Sequence, residues 1–161
     1  MQRRLVVEHE DDGASLGVAL RVHAATGVPV VFDHLHWCLN NPEGWSAPEA
    51  LAAALATWPH DRRPKIHFSS PRTELQAVER EDVHGKRRWR LRPPRPGHHA
   101  DFLNPWEFGS LVRSAAHLRD FDVMLEAKAS DVALLRLRRD LERYVPDVAA
   151  WVDGGVVCKE P

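Results

Sequence analysis

Seven residues in four apolar runs carry side chains that a core strand does not need for packing. "RLVVEHE" contains Glu8, "VPVVFDH" leads into Asp33 and His36, "KIHFSS" supplies Lys65 and His67, and "FDVMLEA" leads through Glu126 to Lys128. Lys65 and His67 are two residues apart, as are Glu126 and Lys128, so in extended chain each pair falls on one face. Mixed carboxylate and imidazole donors suit Mn²⁺, Mg²⁺, Fe²⁺ or Zn²⁺, and the lack of thiolates in the set argues against a structural zinc. Taken singly, each residue has a plain structural use. Glu8 or Lys65 would face solvent, His67 would be a satisfied core histidine, and Asp33 would cap a turn. The repetition is what points to a shared site: an acid, an acid with a histidine, a lysine with a histidine, and an acid again, each at or near the carboxyl end of an apolar run.

The elements that must position these residues follow a regular order. The four runs start at Arg4, Val28, Lys65 and Phe121 and are nearly continuous in Val, Ile, Leu and Phe, as expected of parallel strands covered on both faces. Amphipathic stretches lie between and after them. "SLGVALRVHAAT" puts Leu16, Leu20 and His23 on one face and stops at Gly27, and "SAPEALAAALATW" has Ser46 as its cap and Pro48 in its first turn. "NPWEFGSLVRSAAHL" has Asn104 as cap and Pro105 at the first helical position, while "SDVALLRLRRDLERY" repeats an apolar stripe through Leu134, Leu137 and Leu141. Four βα units in succession predict an α/β fold with a parallel sheet, either doubly wound or curling toward a barrel. In parallel sheets the carboxyl ends of the strands house the chemistry, because several strand ends and their loops meet there.

The chain of 161 residues reads as a single domain, 1–161. With 43% hydrophobic and 28% charged residues it has the composition of a globular protein. The formal net charge of -1 provides no global attraction to nucleic acid, so contact with DNA has to come from a local patch. One such patch interrupts the rhythm at 79–98, a basic segment reading as a loop or hairpin in which Arg87, Arg88, Trp89 and Arg90 suit phosphate contact and base stacking. Cys38 and Cys158 form no CxxC pair, and no apolar run approaches membrane-spanning length. These features predict a cytoplasmic protein with no membrane association.

The blocks "LVVEHEDD", "GVPVVFDHLHW", "PKIHFSSPR", "HADFLNP" and "DVMLEAKASDVALL" resemble, in this order, the carboxyl-terminal half of the UV damage endonuclease (UvdE) family. The resemblance implies half of a TIM-type (β/α)₈ barrel, four βα units long, with the basic segment as an insertion. It also implies metal-dependent cleavage of damaged double-stranded DNA on the 5′ side of UV photoproducts. Carried over position by position, Glu8, Asp33, His36, His67, His99 and Glu126 match metal ligands of a divalent cluster, manganese above all, with Mg²⁺, Zn²⁺ or Co²⁺ as substitutes. Catalytic roles fall on Glu126, on Lys65, which matches a lysine that can be carboxylated beside the metals, and on Lys128, at a position suited to phosphate contact. The implied partner that closes the barrel is a second copy or a separate amino-terminal half. A metal-dependent sugar isomerase of the same superfamily and a non-catalytic binding module are the competing expectations.

Overall fold

A computed structural model describes residues 5–153 and 156–157. Along the chain run β1 (Val7–Glu8), α1 (Leu16–Thr26), β2 (Val30–Asp33), α2 (His34–Leu39), α3 (Ala47–Ala56) and β3 (Lys65–Phe68). Then come β4 (Gln76–Glu81), β5 (Arg87–Arg92), α4 (Pro105–Ser114), β6 (Asp122–Leu125), α5 (Ser130–Tyr144), α6 (Pro146–Ala149), β7 (Val152–Asp153) and β8 (Val156–Val157). The four expected strands are β1, β2, β3 and β6, and they pair in that order, all parallel. This is the α/β arrangement of half a (β/α)₈ barrel.

Local chemistry sets the helix ends. Gly27 closes α1 in the left-handed region at φ 71°, where its N–H reaches the His23 carbonyl; a residue with a Cβ is strained there. The Glu49 carboxylate accepts from the Ser46 N–H at 2.8 Å and caps α3, and the Asn104 side chain accepts from the N–H groups of Trp106 and Glu107 at the start of α4. Val30, Phe32, Ile66 and Phe68 alternate toward these helices and pack with Leu51, Leu55, Phe108 and Leu111 in one buried core. The Trp58 indole donates to the Val30 carbonyl at 2.7 Å, and the Thr57 hydroxyl accepts from the Val30 N–H at 2.8 Å, which pins the start of β2.

Several expectations need correction. The helices cover one face of the sheet only. The other face, carrying Val6, Val31, Lys65, His67 and Met124, lines an open trough of about 480 Å³. The apolar run of β2 stops at Asp33, whose carboxylate accepts from the His36 N–H and so starts α2 at once. Beyond the four parallel strands, β8 pairs antiparallel with β6 and with β7, so the sheet has six strands and is mixed. The basic segment is a hairpin of β4 and β5 that begins at Gln76, three residues before the expected boundary. Cys38 is a free thiol, and Cys158 lies outside the described residues.

Where α4 meets the end of α5, a Cβ on Gly109 would sit 2.7 Å from Cγ1 of the buried Val145. Gly109→Ala should therefore lower stability by about 1–3 kcal/mol through overpacking, although alanine is the better helix former by about 1 kcal/mol. Urea unfolding midpoints measure the effect, and a stabilised variant would contradict the close approach.

A candidate metal centre at the carboxyl ends of the parallel strands

The register of the four strands brings the acids and histidines together. Asp33 stands beside His67 and His67 beside Met124, so Asp33, His67 and, two residues after Met124, Glu126 share the open face. Glu8 ends β1 on the same face, paired with Val31. The His67 imidazole is the hub: its Nδ1 lies 3.0 Å from Glu8 Oε1, 3.5 Å from Glu126 Oε1 and 4.0 Å from Asp33 Oδ2. One ligand atom each from Glu8, Asp33 and His67 fits within 4.8 Å of the others.

The remaining two residues arrive from outside the sheet. His36, in the first turn of α2, lies 3.5 Å from Glu8 Oε1 through Nδ1. The same nitrogen donates to the His9 carbonyl at 2.8 Å, which leaves Nε2 as the nitrogen with a free lone pair. His99 comes from the returning limb of the hairpin. There Pro71 and His99 form a bridge and the Ala100 N–H bonds the Ser70 carbonyl, which tie that limb to the exit of β3. His99 Nε2 is 3.7 Å from Glu126 Oε2. All six carboxylates and imidazoles expected as ligands thus converge on one cluster.

The donor set fits a hard divalent cation. Asp33 is fully buried, and while Oδ1 is occupied as the helix cap, Oδ2 has no hydrogen-bond partner. A buried carboxylate oxygen without a donor is costly unless a cation sits beside it. The charges already respond to one another. Hydrogen bonding to Glu8 raises the His67 pKa; burial opposes this, and the charges of Glu8, Glu126 and Asp33 reinforce it. Burial alone would raise Glu8, but the hydrogen bond from His67 and the charges of His67, His36 and His9 outweigh it and hold Glu8 below its ordinary value.

Lys65 and Lys128 stand apart from this cluster. Lys65 opens β3 and is exposed in the trough with Arg63 and Met124. It lies one pleat below His67, at the amino end of the strand and not at the carboxyl end. Lys128 lines a second cavity of about 310 Å³ with Arg72, Gln76, Gly97, His98 and His99. His34 stacks on Phe68 with ring centres 5.1 Å apart and is a packing residue.

His9 does not stand out in the sequence, yet it underlies the cluster. It is fully buried, its ring lies against Phe32 and edge-on to His36, and its Nε2 accepts from the Asp33 N–H at 3.1 Å. Accepting there places the ring proton on Nδ1. The available signal is alternation: His9 directly follows Glu8 at the end of an apolar run, so it falls on the opposite side of the extended chain, where it is fully buried.

Fold and site together define a parallel half-barrel whose strand ends bring carboxylates and imidazoles together, with Glu8, Asp33 and His67 placed so that they could hold a metal ion. The chain belongs to the UV-endonuclease UvdE family, which it matches over residues 1–156. It is 29% identical over 142 residues to a UV DNA damage endonuclease of Bacillus velezensis, covering 88% of this chain and 39% of that protein. A Bacillus pumilus protein of the same name is 30% identical with the same coverage. The crystal structure of SacUVDE superposes with a TM-score of 0.64 at 29% identity, covering 88% of this chain and 40% of that one. The chain thus spans about two fifths of the length of the relatives it matches. No described helix is long and apolar enough to cross a membrane.

Burial lowers the His9 pKa to about 4 from an ordinary 6.5, against the opposing charge of Asp33. Between these values the unfolded chain takes up a proton that the folded chain does not. The contribution of His9 is therefore present above pH 6.5 and is lost as the pH falls toward 4. His9→Gln should reduce the loss of stability between pH 7 and pH 4.5 by about 2 kcal/mol. Denaturant titrations at the two pH values measure this, and an unchanged pH dependence would contradict the buried neutral imidazole.

Proposed function

We propose that this chain carries the metal-binding half of an endonuclease that cleaves DNA 5′ to UV photoproducts, with a manganese-type divalent centre held by Glu8, Asp33, His36, His67, His99 and Glu126. The observation that carries the reading is the approach of Glu8, Asp33 and Glu126 to His67, joined by His36 through Glu8 and by His99 through Glu126, next to a buried Asp33 oxygen with no donor. Family membership extends it from a metal centre to a nuclease.

When bound, a divalent metal supplies Lewis-acid polarisation of a phosphodiester and lowers the pKa of water at the site. The chain's own residues provide the rest. The His9 carbonyl orients His36 through Nδ1, and the Asp33 carboxylate is fixed by its role as helix cap, so two donors are set before any ligand arrives. Glu126 lies between His67 and His99 and balances their charge if either imidazole is protonated. Lys128 offers a cation toward the phosphate from the cavity it lines with His99. Lys65 acts from the trough one pleat below His67, where a carboxylated side chain would add an anionic donor. The open face of the sheet is closed by the other half of the barrel, supplied by the same polypeptide, a second copy or a separate chain, and cleavage depends on that closure.

Titration calorimetry with Mn²⁺ should show binding by the chain. Asp33→Asn and His67→Ala should each weaken it at least tenfold, while Lys65→Ala changes it far less. Nicking of UV-irradiated plasmid should appear when the chain is combined with an amino-terminal half from a relative, and should vanish with His67→Ala. Equal Mn²⁺ uptake by wild type and Asp33→Asn would overturn the metal assignment. Tight Mn²⁺ binding with no nicking by the completed barrel would overturn the nuclease assignment.

A further inference from the structure

The hairpin separates its charges by face. Cross-strand partners in an antiparallel pair lie on the same side, and the register pairs Gln76 with Arg92, Val78 with Arg90 and Arg80 with Arg88. One face therefore carries Arg80, Arg88, Arg90 and Arg92. The other carries Ala77, Leu91, Glu79, Trp89, Glu81 and Arg87. Arg87 lies 3.6 Å from Glu79 on its own face. Among the described residues, Arg88 alone on the basic face has an acidic partner, Asp82 at 2.9 Å, whereas Arg80, Arg90 and Arg92 are exposed and have none. The expected DNA-facing set of Arg87, Arg88, Trp89 and Arg90 is thus split: Arg87 and Trp89 point away from Arg88 and Arg90.

The base of the hairpin gives the basic face a direction. Gln76 and Val78 are half-buried while Ala77 between them is exposed, so this face is turned toward the body at its base. Gln76 also lines the cavity that holds Arg72, His98, His99 and Lys128, although Asp101 neutralises Arg72 there. Arg80 stands directly opposite Arg88, whose charge Asp82 already balances; Arg80, Arg90 and Arg92 are therefore the exposed cations of this face for which phosphates would be the counter-anions.

We infer that this face is a track for the phosphate backbone of duplex DNA, running from the metal centre through the Lys128 cavity and along Arg92, Arg90 and Arg80. The inference rests on the reading of the chain as a DNA-acting protein. As a phosphate track it is sequence-independent, because backbone contacts position a duplex without distinguishing its bases.

The test is binding of the full chain to an undamaged fluorescent duplex in divalent-free buffer, followed by anisotropy across a range of salt. The triple variant Arg80→Ala, Arg90→Ala, Arg92→Ala should bind more weakly, with the slope of log K against log salt smaller by about 3, roughly 0.9 for each phosphate that an arginine no longer neutralises. The opposite-face variant Arg87→Ala, Trp89→Ala should leave the slope unchanged. The track is overturned if wild type shows no salt-dependent binding, if the triple variant keeps the wild-type slope, or if the opposite-face variant shows as large a decrease. Because no metal is present, a failed nicking assay with an intact slope effect counts against the nuclease reading alone. Nicking with an unaffected slope counts against the track alone.

Discussion

The candidate centre depends on the register of four short parallel strands. Asp33 lies level with His67 in neighbouring strands, Glu8 one strand further on, and Glu126 just beyond the end of β6. Side chains alternate along a strand, so a slip of one residue in β2 or β3 would turn Asp33 or His67 into the helix-covered core and bring Phe32 or Phe68 out. The core prevents this. Phe32, Ile66 and Phe68 are fully buried against the helices, and Trp58 and Thr57 hold both backbone groups of Val30. The hydrophobic packing on one side of the sheet thus sets the geometry of the polar cluster on the other.

That cluster concentrates charge. Glu8, Asp33 and Glu126 all approach His67, and the hydrogen bond to Glu8, reinforced by the three charges, raises its proton affinity against the opposing effect of burial. Support from beneath comes without added charge, because His9 is buried, accepts from the Asp33 N–H and stays neutral at ordinary pH. The same residue uses its carbonyl to orient His36. One side chain and one backbone oxygen of His9 therefore position donors from two elements.

The strand-end residues are legible in the sequence because β strands have a period of two and helix caps have strong residue preferences. Ser46, Asn104 and Gly27 stand where their types predict, and the repeated acid and imidazole pattern points to Glu8, Asp33, His36, His67 and Glu126, whereas His99 is reached only through the family resemblance. Other features depend on tertiary context. The run "VPVVFDH" ends in an acid, but only the structure shows that the Asp33 cap turns the chain into α2 at once. Lys65 is grouped with the strand-end residues through its adjacency to His67, yet it heads the run "KIHFSS" and opens β3, level with Asp122. His9 escapes a sequence reading because a buried histidine on the core side of a strand carries no periodic signal of its own. The charge sorting of the hairpin appears only once the β4–β5 pairing fixes which arginines share a face.

Whether these side chains form one metal centre can be seen by anomalous diffraction from crystals of the chain grown with Mn²⁺. A manganese peak is expected at bonding distance, roughly 2.0–2.2 Å, from carboxylate oxygens of Glu8 and Asp33 and an imidazole nitrogen of His67. A chain that crystallises in this fold with manganese only elsewhere, and with Asp33 Oδ2 still unpartnered, would contradict a shared centre.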